Sequence, residues 1–157
     1  MRQMTLELDQ TYQRPVVTLD NFFGLDAMID TGAVYPVWMN GEESLCKLGA
    51  VKKRNSVPFG GLGGMTNGAL YEIPALKLGD LIYPNMSIIA HRSNFPVPLL
   101  LPATMFNNLI YEINNKTHRL NITVPDDESI SRRLTIRDKN GRLYVLCASA
   151  EKECGCQ

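Results

Sequence analysis

Ala27-Met28-Ile29-Asp30-Thr31-Gly32-Ala33 is the stretch on which the reading of this chain turns. Leu25 to Ile29 has strand character and runs straight into a carboxylate. Thr31-Gly32-Ala33 follows, then a second apolar stretch, Val34 to Met39, closed by Asn40-Gly41. A lone aspartate after a strand is usually a turn residue or a cap, because its short side chain bonds nearby backbone. The order of the segments around it decides between that reading and a chemical one.

Upstream, Arg14 to Leu19 reads as a strand and Asp20 to Gly24 as a connection. Downstream, Glu42 to Leu48 reads as a short helix. Residues 60–68 then hold five glycines, which cannot form a core strand because each is entropically costly to order and packs nothing. Pro58 to Gly68 instead suits a hairpin tip whose backbone approaches something closely. Ala69 to Leu78 and Leu81 to Ala90 return to strand character around a Leu78-Gly79-Asp80 turn. Thr104 to Tyr111 reads as a short helix with Thr104 as its cap. Asn114-Asn115-Lys116 turns into a strand through His118 to Val124. Pro125 to Ser129 reads as a linker, and Asn140-Gly141 between Leu134–Arg137 and Leu143–Leu146 signals a hairpin. The expectation is an all-β fold with one or two short helices. Residues 1–124 form the main domain, and 125–157 hold a linker, a hairpin and a cysteine-containing tail.

Sixteen basic residues balance sixteen acidic ones over 157 positions. That neutrality argues against a nucleic-acid partner or an anionic membrane surface; Lys52-Lys53-Arg54 and Arg132-Arg133 are too short to change it. The first residues carry acids where a secretion signal needs an apolar core, and the apolar run Phe95 to Ala103 is interrupted by Pro96, Pro98 and Pro102. A cytoplasmic location is expected. Cys46, Cys147, Cys154 and Cys156 lack the paired spacing of a structural zinc site, and His91 and His118 lie far away, so neither metal nor cofactor is expected. The sequence also lacks a serine-nucleophile elbow, a His-Glu-x-x-His helix and a phosphate loop.

The order of Asp30-Thr31-Gly32-Ala33 between apolar strands, a glycine-rich hairpin about thirty residues later, then a strand, a proline-flanked apolar run and a short helix, resembles the retropepsin-like aspartic peptidases. The resemblance spans Arg14 to Val124. It implies a closed β-barrel in which Asp30 is catalytic and Thr31, Gly32 and Ala33 support it. Phe59, Gly60, Gly61, Leu62, Gly63, Gly64 and Met65 would form a flap over a polypeptide substrate. Thr31 would bond across a two-fold axis, and Gly32 would bring backbone close to the carboxylates. Two carboxylates sharing one proton can activate water and protonate a leaving group, because like charges at close range do not both ionise easily. The chain carries one such motif, so the pair requires a homodimer. Two positions depart from the family pattern. Val34 stands where an acidic residue is common, and Leu101-Pro102-Ala103 stands where a glycine usually follows the second apolar run.

Two other readings remain open at this level. A dimeric module of the same fold could bind peptides without cutting them, or Cys147, Cys154 and Cys156 could form a thiol or metal end. Among the remaining residues, Trp38, Tyr35, Met65 and Met86 read first as core, and His91 and His118 as satisfied surface histidines. The extra hairpin could join subunits or lie across the cleft.

Overall fold

A computed structural model describes residues 1–61 and 64–150; Leu62, Gly63, Cys154 and Cys156 lie outside them. β2 (Val16–Leu19) pairs antiparallel with β3 (Leu25–Asp30), and β3 pairs parallel with β8 (Leu99–Pro102). β8 is flanked on its other side by β4 (Val37–Trp38), so a late segment is inserted between two strands that are neighbours in sequence. β7 (Leu81–Ala90), β6 (Gly64–Leu78) and β5 (Val51–Gly61) complete a seven-stranded sheet in the order β2-β3-β8-β4-β7-β6-β5.

Two smaller sheets cover it. β1 (Arg2–Glu7), β10 (Arg119–Val124) and β9 (Ile110–Asn114) form one, in the order β1-β10-β9. β11 (Arg132–Lys139) and β12 (Arg142–Ser149) form the other, an antiparallel hairpin. The large ladder ends at β2 and β5, so packing of the smaller sheets completes the enclosure. Leu120 and Ile122 of β10 and Leu134 and Ile136 of β11 join one core with Ile73, Leu76, Ile88 and Ile89. The architecture is all-β, as expected, with one short α-helix among the described residues, α1 (Glu42–Cys46).

Alternation along the strands separates core from cleft. On β3, Ala27 and Ile29 are buried while Met28 and Asp30 face the other way; on β8, Leu99 and Leu101 are buried while Leu100 is not. Met28 pairs with Leu100 and Asp30 with Pro102, which sets the cleft-facing residues of both strands side by side.

Several elements differ from the sequence reading. Val51–Gly61 is a strand at the sheet's edge, where charged side chains such as Lys52 and Arg54 face solvent. Thr104 to Tyr111 is not a helix. A single 3-10 turn, Ala103–Phe106, stops where Asn108 takes a positive φ of 66°, and Ile110 starts β9. Thr104 is not a cap either; its hydroxyl donates to the Val34 carbonyl at 2.7 Å. The apolar spacing of Met105, Phe106, Leu109 and Ile110 imitates a helix, but it serves a turn followed by a strand. The Asn140-Gly141 hairpin matches its expectation: both residues have positive φ, 54° and 78°, as a tight turn between twisted strands requires.

Candidate active site

Asp30 is the last residue of β3, half-buried at the floor of a cavity of about 830 Å3. That volume lies within the range of roughly 300–1,000 Å3 common for ligand sites. The Gly32 amide donates to Asp30 Oδ1 at 3.0 Å, and the Ala33 amide to the Asp30 carbonyl at 3.1 Å. These two bonds fold the loop back on the strand end and hold one carboxylate oxygen in place. The second tie is the Thr104–Val34 bond, which fastens this loop to the turn after β8.

Pro102 stands beside the motif and is accommodated there. It lies at the end of β8, buried and opposite Asp30. A proline has no N–H to offer the ladder, and the end of a strand is where that loss is tolerated.

Packing within the chain does not demand a glycine at position 32. A Cβ there would lie 3.5 Å from Asp30 Oδ1, an ordinary contact, and its φ is not in the left-handed region. Thr31 is exposed, and Ala33 is half-buried and lines the cavity.

Opposite Asp30, the β5–β6 hairpin brings Phe59, Gly60, Gly64 and Met65 to the same cavity. Gly64 has a φ of 99°, a conformation that favours glycine, and Gly61 pairs with it at the end of the ladder. Phe59 is buried, its ring edge-on to His91 at 5.5 Å, whereas Met65 is 73% exposed. Met65 is therefore not core. At the root of the hairpin, Gly68 is needed for space, since a Cβ there would come 2.5 Å from Ile89 Cγ2 and 2.9 Å from the Ala90 carbonyl oxygen.

The sequence reading missed part of the lining. Met28, Tyr35, His91, Phe95 and Leu100 all reach the cavity. Alternation two residues before Asp30 would have found Met28; no local signal marks His91 or Phe95, which arrive through tertiary folding. Trp38 and Met86 are core, as read. Trp38 is fixed by donating from Nε1 to the Gly41 carbonyl at 3.0 Å and to Ser44 Oγ at 2.9 Å. Tyr35 divides its roles, with its ring on the cavity wall and its hydroxyl donating to the Leu143 carbonyl of β12 at 3.0 Å. The β11–β12 hairpin contributes nothing to the lining, so it flanks the cleft instead of crossing it.

Among the described residues no group of three or more His, Cys, Asp or Glu converges as a metal site, and no helix is long and apolar enough to cross a membrane. Cys147 is buried, with burial pushing its thiol above the ordinary range.

Scans of protein-family models and of curated proteins returned no match. Among solved structures, the fold is similar to that of a retropepsin-like aspartic protease from Rickettsia conorii, with a TM-score of 0.52 and 14% identity. The match covers 78% of this chain and 91% of that one. At that identity the similarity establishes the fold, which is the retropepsin-like one.

Proposed function

We propose that the chain is an aspartic endopeptidase, active as a homodimer, in which Asp30 of each subunit supplies one carboxylate of a shared dyad. The observation that carries this is the pairing of Asp30 with the tip of the β5–β6 hairpin across one cavity. A polypeptide lying extended between floor and flap would meet backbone on the flap side at Gly60 and Gly64, where main-chain hydrogen bonds can form without side chains in the way. The walls are largely apolar, with Met28, Tyr35, Phe59, Phe95 and Leu100 among them, and favour hydrophobic side chains around the cleaved bond.

In the reaction one carboxylate takes a proton from water as its oxygen attacks the scissile carbonyl. The protonated partner gives its proton to that carbonyl oxygen. The first carboxylate then passes the proton it took to the amide nitrogen as the C–N bond breaks, and a hydroxyl proton of the resulting diol returns to the partner carboxylate, which restores the shared proton. Neither carboxylate does this alone, and titration belongs to the pair. The dimer also supplies a reason for Gly32 and Thr31. A backbone with no Cβ and an exposed hydroxyl, both unexplained inside one protomer, suit a close two-fold contact at the motif.

The test is cleavage of a peptide library by purified protein from acidic to neutral pH, with Asp30→Asn in parallel. Wild-type cleavage that falls by roughly 10^2–10^4-fold in the variant, the scale of a positioned acid–base group, supports the proposal. Equal cleavage by both removes Asp30 from the chemistry. Pro102 beside Asp30 favours one second reading, a peptide-binding module that does not cut. Under that reading folded dimers of both proteins bind peptide and neither cleaves it.

A further inference from the structure

The flap strand β5 loses register with β6 twice in a short span, between Lys52 and Arg54 and again between Arg54 and Val57. Arg54 therefore stands in an irregularity, the kind of place where a strand bends and re-aims its side chains. Beyond it the ladder runs regularly from Val57 to the tip. β5 is also an edge strand, with β6 as its only ladder partner among the described residues. Gly68 seats the root of the hairpin against β7, but among the described residues no ladder partner beyond β6 steadies the outer edge of β5.

The C-terminal hairpin does. Arg54 Nη1 donates to Asp138 Oδ2 at 2.9 Å, and the other oxygen of that carboxylate accepts from the Gly141 amide at 3.1 Å. One carboxylate thus ties the bend to the β11–β12 turn. The hairpin is a firm anchor. Arg132 is fully buried, lies 3.5 Å from Glu128 and donates to the Asn107 carbonyl. From the same hairpin, Leu143 accepts the hydroxyl of Tyr35, a wall residue of the cavity.

We infer that Asp138 is a positioning residue for the flap, pinning the bend at Arg54 to a hairpin that lies outside the cleft. This rests on the peptidase reading only for its catalytic consequence; the mechanical coupling stands on the geometry alone. Both partners are partly exposed, 49% for Arg54 and 24% for Asp138, so the pair acts on local motion more than on global stability.

Native-state hydrogen exchange tests the coupling without any need for cleavage. Asp138→Asn keeps an oxygen for the Gly141 amide and removes the charge; Arg54→Gln removes the other half. Each variant should speed exchange of the amides between Val57 and Gly61 by about two- to fivefold, the range an exposed ion pair accounts for. The double variant should do no more than either single one, and β9–β10 amides should keep wild-type rates. Raising the salt should bring wild type toward the variants. Unchanged flap exchange in both single variants, or effects that simply add, would overturn the inference. If the protein cleaves peptides, the variants should raise KM while kcat stays within about twofold, as loss of uniform binding does. A fall in kcat with KM unchanged would place Asp138 in the chemistry and contradict a positioning role.

Discussion

At Gly68 the backbone of β6 lies so close to β7 that an added Cβ would sit 2.5 Å from Ile89 Cγ2. The Ala90 carbonyl oxygen, 2.9 Å away, belongs to the backbone and cannot rotate aside. Gly68→Ala should therefore destabilise the protein by about 1–3 kcal/mol, the usual effect of overpacking, measured as a lower urea midpoint. Gly32 makes the opposite prediction. The chain itself has room for a methyl, so Gly32→Ala should leave the stability of a diluted monomer within about 0.5 kcal/mol of wild type. In the proposed homodimer the same change should weaken subunit association, read as an increased sedimentation dissociation constant. Residues like these divide by how their roles could be read. The place of Asp30, at the end of a strand and facing a cleft, was legible because the motif is local and its strand alternates. Met65 reaches the cavity from the flap and not the core, and Tyr35 both packs against the core and walls the cavity, because an apolar residue facing a cleft has the same composition as one facing a core.

Among the elements, the β11–β12 hairpin depends on a charge placed where water is absent. Arg132 is 0% exposed and is held by Glu128, the Asn107 carbonyl and Ser149 Oγ. Removing one partner of a buried ion pair leaves the other uncompensated. Glu128→Ala should cost about 3–5 kcal/mol in denaturant unfolding, well above the effect of a surface pair such as Arg2–Asp80. The hairpin itself was legible because Asn140-Gly141 is a short-range turn signal whose two positive φ angles need no tertiary help. β1 was overlooked although Met4 and Leu6 alternate with Thr5 and Glu7, and the first half of β5 was overlooked because its exposed run of lysine and arginine has no apolar face to read. The helix expected over Thr104 to Tyr111 failed for a different reason. Its apolar spacing fits two elements in turn, and only Asn108 in the left-handed region marks the break.

Across the whole molecule, one core joins all three sheets, and its polar members set how stability responds to pH. Burial holds the Tyr83 phenol and the Cys147 thiol neutral beyond their ordinary values of 10.0 and 9.0. The unfolded chain releases those protons first, so the stability these two groups contribute is whole below about pH 9 and is lost as the pH rises past it. Urea midpoints from neutral pH upward should fall on the alkaline side, and Cys147→Ala should flatten the decline while lowering the plateau. The topology, with β8 inserted between β3 and β4, was not legible, because strand order depends on pairings between segments far apart in sequence. What the fold leaves incomplete is the site: one Asp30 per chain, where the proposed chemistry needs two. Subunit mixing tests that most directly. Wild type and Asp30→Asn, mixed in equal amounts and allowed to exchange partners, should retain about a quarter of the activity of the same total of wild type, because random pairing leaves that share of dimers with both aspartates. Retention of half, in proportion to wild-type chains, would mean that each subunit works alone and would contradict the shared dyad.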